Sequence, residues 1–109
     1  MSEQRGKYNA HRTTIDGITF ASAAEARRYD ELKLMEMEGE IGRLELQPHY
    51  PLVVNGQRVA VYIGDFLYVD SRSKQKVLED VKGVKTPVYR LKKKLMMALY
   101  GIDIVEVIA

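Results

Sequence analysis

The 109-residue chain has no cysteine and no tryptophan, with only two histidines and three prolines. Without thiols, disulfides, thiolate zinc sites and cysteine nucleophiles are all excluded. His11 and His49 cannot form a His-rich metal centre, so any metal must be a hard cation held by carboxylates. No apolar run approaches the roughly 18 residues of a membrane span, and the first residues, Met1-Ser-Glu-Gln-Arg-Gly, are polar. A cytoplasmic protein with neither membrane nor disulfide partner is expected. What is present is ordinary for a soluble globular chain: 46% hydrophobic and 29% charged residues, enough for one domain over residues 1–109.

The net charge of +2 hides a segregation. Asp30, Glu31, Glu36, Glu38, Glu40 and Glu45 face only Lys33 and Arg43 in their stretch of chain. Between Val81 and Ile102 stand Lys82, Lys85, Arg90, Lys92, Lys93 and Lys94 with no acid, and Arg5, Lys7 and Arg12 make the N-terminus basic. A basic arm and a basic C-terminal third suit a polyanionic partner, although a solvated lysine face gives the same pattern.

Asp16-Gly17 and Asn55-Gly56 carry the positive-φ chemistry of two-residue hairpin turns. They predict a short hairpin over 13–20 and a longer one pairing Leu44–Val54 with Gln57–Val69. Ser22-Ala-Ala-Glu25 opens a helix that runs to about Glu38 and stops at Gly39. A third strand spans Lys76–Lys82. Thr86-Pro87 starts a second helix, which Gly101 closes, and Ile102–Ile108 forms a last strand. A helical crossover makes that strand parallel to the one ending at Lys82. The expected fold is α/β, with a mixed sheet and helices packed on it.

Charges fall where a core is expected. In the strand to Val69, period two sets Asp65 on the face of Val59, Val61, Ile63, Leu67 and Val69, opposite Ala60, Tyr62, Phe66 and Tyr68. A carboxylate there needs a cation, a donor or a metal; a local twist or backbone N–H bonds would also accommodate it. Leu78, Asp80 and Lys82 share a face of the next strand and Glu79 takes the other. As text, acid-x-Lys is weak, and an exposed ion pair would explain it. The adjacent Asp65 strand raises its weight. Glu25 caps the first helix, yet it lies one turn before the core stripe of Tyr29, Leu32 and Met35, so capping and site roles coexist. Three acids and a lysine at one sheet edge can hold Mg²⁺ with room for waters and a phosphate oxygen.

Asp65, Asp80-Val81-Lys82 and Glu25 resemble the PD-(D/E)XK nuclease signature, with Gly64 in place of the motif's proline. More closely, the chain is similar to a small phage-encoded family of that superfamily, known as a domain of unknown function. Lys7-Tyr8-Asn9-Ala10, Glu25-Ala-Arg-Arg-Tyr29-x-Glu31-Leu32, Leu46-Gln47-Pro48, Tyr62-Ile63-x-Asp65-Phe66, Glu79-Asp80-Val81-Lys82-Gly83 and Lys85-Thr86-x-x-Tyr89-x-x-Lys92-Lys93-Lys94 carry the match. The resemblance implies a restriction-endonuclease-like αβββαβ core over 22–109, preceded by a basic arm and hairpin over 1–21. It implies Asp65 and Asp80 as Mg²⁺ ligands (Mn²⁺ substituting), Lys82 as catalytic lysine, and Glu25 as a third ligand, direct or through water. The implied activity is a DNA endonuclease leaving 5′-phosphate and 3′-hydroxyl ends. Holliday-junction resolvases are among its superfamily relatives, so branched DNA in phage recombination or replication, inside a bacterial host, is the expected setting. A binding factor that keeps the fold without cleaving is the alternative.

The apolar stripe of the second helix reads as Val88, Leu91, Leu95, Ala98 and Leu99, and is expected to face the core. Tyr89, Lys93 and Tyr100 align opposite, flanked by Met96 and Met97. Lys85, Tyr89, Lys92 and Lys93, with Arg28 on the first helix and Gln47 on the first strand, are the candidate DNA contacts. One site per short chain makes a homodimer the expected assembly for paired incisions.

Overall fold

A computed structural model describes residues 12–109. The basic-arm residues Arg5 and Lys7, the Lys7–Ala10 match and His11 lie outside the described residues, while Arg12 is exposed.

The chain begins with the predicted hairpin, β1 (Thr13–Ile15) and β2 (Ile18–Phe20), turned by Asp16 and Gly17 at φ +53° and +75°. In α1 (Ala23–Met37), the Ser22 hydroxyl accepts the Glu25 N–H at 3.1 Å, and Gly39 takes φ +80° just beyond the last turn. Ala26, Tyr29 and Leu32 are its buried face, the i, i+3, i+6 line of a helix docked on a sheet.

The two long strands expected over Leu44–Val54 and Gln57–Val69 are each broken midway. The first is β3 (Ile41–Leu46) and β4 (His49–Val54); the second is β5 (Gln57–Ile63) and β6 (Phe66–Asp70). Gln47 sits at φ +49° before Pro48, which has no N–H to give a ladder. The two breaks bond to each other: the Gln47 N–H donates to the Asp65 carbonyl and the Gly64 N–H to the Pro48 carbonyl, both at 3.0 Å. Both chains therefore leave the main sheet together, and β4–β5 forms a separate two-stranded ribbon turned at Asn55-Gly56. The break also exchanges the faces. Tyr62 packs with Leu67 and Leu78, whereas Phe66 and Tyr68 pack with the first helix. The single alternating face expected for Val59 through Val69 is thus corrected.

The main sheet has the order β3-β6-β7-β8, with β7 at Lys76–Lys82 and β8 at Val105–Ile108. The first three strands are antiparallel neighbours and β8 runs parallel to β7. The last strand is shorter than expected, because Ile102 and Ile104 leave the ladder to pack in the core. Along the chain, the main-sheet elements and their helices follow the order helix, three strands, helix, strand. One core cluster joins Tyr29 and Leu32 of α1 to Phe66 and Tyr68; another joins Leu52, Tyr62 and Leu78 to Tyr89 and Met96 of the second helix, α2 (Pro87–Tyr100). The protein is a mixed α/β structure.

In α2, Thr86 caps the start and Gly101, at φ +67°, the end, as predicted. Its packing face is not the one predicted. Tyr89 and Met96 are buried, while Val88 is 62% and Leu91 59% exposed, and Ala98 and Leu99 are exposed too. The helix buries its aromatic and methionine side because the Tyr89 hydroxyl finds a carboxylate partner there, described below, and Met96 fills an irregular gap without branching. Leu95 alone of the predicted stripe is partly buried against this core.

Candidate functional site

The exchange of faces at Gly64-Asp65 puts Asp65 at the junction of sheet and ribbon. Its N–H donates to the Glu79 carbonyl at 3.0 Å, and its Oδ2 accepts the Val81 N–H at 2.7 Å. Asp65 therefore straddles the β7 residue Asp80, which is buried, with 4% exposure. Asp80 Oδ2 accepts the Tyr62 hydroxyl at 2.5 Å, and Oδ1 stands 3.3 Å from Lys82 Nζ. Burial first, then the Glu25 and Asp80 charges, push the Asp65 carboxyl up to about 7 against the opposing Val81 amide. Glu25 is also raised, by burial and then by Asp80, with Lys82 pulling the other way. The four residues singled out in sequence are thus brought into one electrostatic cluster.

The cluster divides between two clefts. Glu25, Gln47 and Asp65 line one of about 230 Å³, with Phe20 and Leu46 in its walls. Asp80 and Lys82 line the other, of about 260 Å³, with Val61, Ile63, Val88 and Lys92. Gln47 and Lys92, both candidate DNA contacts in sequence, each line one of these clefts.

Lys82 is held from two sides. Its ammonium lies 4.1 Å from the centre of the Tyr89 ring as well as beside Asp80, an arrangement in which the ring quadrupole attracts the cation. Tyr89 is buried, and its hydroxyl donates to Glu106 Oε2 at 2.8 Å. Tyr89 thus supports Lys82 from below and turns its hydroxyl away from the cleft. Glu106 also pairs with Lys85 at 2.8 Å and Lys93 at 3.0 Å, and those contacts with Tyr89 hold its carboxyl down at about 2, Lys85 contributing most. Arg28, placed among the DNA contacts in sequence, is turned inward instead. It forms a fork on buried Glu79, at 2.9 and 2.7 Å, and bonds Glu31 at 2.8 Å. The Tyr68 hydroxyl completes the Glu79 shell. This clamp locks α1 to β7 three residues after Glu25, and so orients Glu25 toward the sheet.

Glu106, Tyr62 and the Arg28–Glu79 pair were not found from sequence. Glu106 was within reach: the predicted parallel pairing of the last strand with Lys76–Lys82 sets Glu106 opposite Asp80. Tyr62 was concealed by the break at Gly64, since an unbroken strand would point it away from Asp80.

Among the described residues, no three His, Asp or Glu side chains stand ready as a metal-binding group. Asp65 and Asp80, on neighbouring strands, supply a two-carboxylate set. Mg²⁺ commonly takes one or two carboxylates and completes its shell with waters and phosphate oxygens. The Asp80 charge raises both Asp65 and Glu25, and a divalent cation would neutralise such a donor set, so the residues present fit Mg²⁺ or Mn²⁺. No helix among the described residues is long and apolar enough to cross a membrane.

A comparison with curated proteins returns no match. Over residues 5–106 the sequence matches the family described as protein of unknown function DUF1064, and the chain belongs to that family.

Proposed function

We propose that this protein is a Mg²⁺-dependent DNA endonuclease of the PD-(D/E)XK type, built on a restriction-endonuclease-like core. The clustering of Asp65, Asp80, Lys82 and Glu25, Glu25 and Asp65 on one cleft and Asp80 and Lys82 on the other, carries this reading. Asp65 and Asp80 would hold the ion, with Glu25 reaching it through water. When bound, the ion would polarise the phosphodiester and acidify a water. Lys82, kept in place by Asp80 and the Tyr89 ring, is aimed to balance charge developing on the phosphoryl oxygens and to orient the attacking water. Tyr62 fixes the Asp80 rotamer; burial and the Asp80 bond push its own hydroxyl far up, so it remains a donor. Cleavage would leave 5′-phosphate and 3′-hydroxyl ends.

DNA is the proposed partner, reached from the side of α2 that carries Arg90 and Lys94, with Lys92 at the cleft and Lys85 and Lys93 anchored by Glu106. A branched substrate, phage recombination or replication, and the bacterial cytoplasm complete the reading. The exposed Leu91 and Leu99, outside the cleft, support a homodimer, since apolar helix residues left in water are a common mark of an interface.

Purified protein should nick supercoiled plasmid with Mg²⁺ and not with EDTA. Asp80→Ala should lose at least 100-fold of that activity while keeping DNA affinity, its folding being checked by circular dichroism because Tyr62 loses a partner. Undiminished nicking by the variant would overturn the assignment. The second reading, a DNA-binding factor that does not cleave, is favoured by the missing three-ligand group. Salt-sensitive binding with no cleavage in Mg²⁺ or Mn²⁺ would select it.

A further inference from the structure

The cleft beside Asp80 and Lys82 has walls that phosphate chemistry alone does not require. Ile63, on the ribbon, is 50% exposed, and Val88, at the start of α2, is 62% exposed. They line the same cleft together with Val61, and Lys92 stands with them. At a surface that must meet a polyanion, aliphatic side chains rather than lysine or serine imply that something apolar and flat enters between them. The cleft's volume of about 260 Å³ is below the usual size for drug-like ligands; it has room for one nucleoside and none for a stacked base pair. Lys82 and Lys92 complement a phosphate at the same place, and Asp80 excludes an anion from the floor unless a cation lies between.

We infer that this cleft seats one unpaired nucleotide, its base between Ile63 and Val88 and its phosphate toward Lys92 and Lys82. The inference rests on the nuclease reading and adds a substrate class: DNA whose strand is unpaired at or beside the phosphate to be cut, such as a single strand, a flap or a branch point. An unpaired base gives up only its stacking when it is extruded, whereas a base pair must also be opened. Binding therefore discriminates before any chemistry occurs.

The test needs no cleavage. In EDTA, fluorescence anisotropy compares a short oligothymidylate with an abasic oligonucleotide of the same length and charge. Wild-type protein should bind the base-bearing strand about tenfold more tightly, the scale of one seated base. The charge-neutral variant Ile63→Ser/Val88→Ser, altered only at exposed positions, should lose that preference and keep its affinity for the abasic strand. Lys92→Gln should weaken both strands alike. Equal wild-type affinity for the two strands would overturn the inference, as would a preference that survives in the double variant. Neither result touches the nuclease reading, which fails if Mg²⁺ supports no cleavage or if Asp80→Ala cuts as well as wild type.

Discussion

At the scale of single residues, the site depends on groups that ionise against their surroundings. Asp65 keeps a proton up to about 7 in the fold, while the unfolded chain releases it near 4. The folded state therefore binds the extra proton between those values, and stability falls as pH rises from about 4 to about 7. In metal-free protein, melting temperature should decline over that window, and Asp65→Asn should flatten the decline. Mg²⁺ should restore stability at pH 8 in wild type and not in the variant. Gly64 shows residue-scale reasoning of another kind. The superfamily motif named in the resemblance has proline there, but in this protein the Gly64 N–H bonds the Pro48 carbonyl. A Cβ would also meet Leu78 Cδ1 at 2.8 Å and the Tyr62 ring at 3.3 Å. Gly64→Pro should cost at least about 2 kcal/mol, from a lost hydrogen bond and an overpacked core, measured by urea unfolding. Asp65 was legible in the sequence because it is a charge in an otherwise apolar strand, and Asp80 and Lys82 because they share a face of the strand that follows it. Tyr62 was not, since a tyrosine in such a pattern signals only core, and Tyr89 reads in sequence as a DNA contact rather than as the ring beneath Lys82.

At the scale of elements, caps, turns and the packing face of α1 read cleanly, and the packing face of α2 did not. Ser22, Thr86, Gly101, Asp16-Gly17 and Asn55-Gly56 act through local backbone chemistry, which a few adjacent residues determine. The side of α2 that faces inward depends on partners distant in sequence: Glu106 captures Tyr89, Lys85 and Lys93, and the Leu91 stripe is left outside. The strand breaks at Gln47-Pro48 and Gly64-Asp65 are similar, because each exists through hydrogen bonds to the other. The clamp between α1 and β7 is the element-scale feature with the largest expected effect. Glu79 is 1% exposed and Arg28 is its charged partner. Arg28→Ala should destabilise the fold by about 3–5 kcal/mol, the cost of leaving a buried carboxylate uncompensated. Arg28→Lys should recover only part of it, since an ammonium cannot reproduce the two-pronged bond. Chemical denaturation of the two variants would check both expectations.

At the scale of the whole molecule, the weakly positive total charge resolves into an acidic α1 and a basic α2, and the site lies where the elements from both sides meet the broken strands. The two core clusters are organised around α1 and α2 respectively, so Glu25 and Lys82 reach the junction from opposite sides of the sheet. The absence of cysteine and scarcity of histidine in the sequence leave carboxylates as the ligands for any cation here. The activity proposed for this junction is cleavage of phosphodiester bonds with a divalent ion. Its most direct test is cleavage of a synthetic four-way junction alongside linear duplex, wild type against Asp80→Ala, in Mg²⁺ and in EDTA. Wild-type protein should cut the junction in Mg²⁺ alone, in preference to the duplex, and the variant should bind without cutting. Intact DNA in every lane with wild-type protein and Mg²⁺ or Mn²⁺, or equal cutting by the variant, would contradict it.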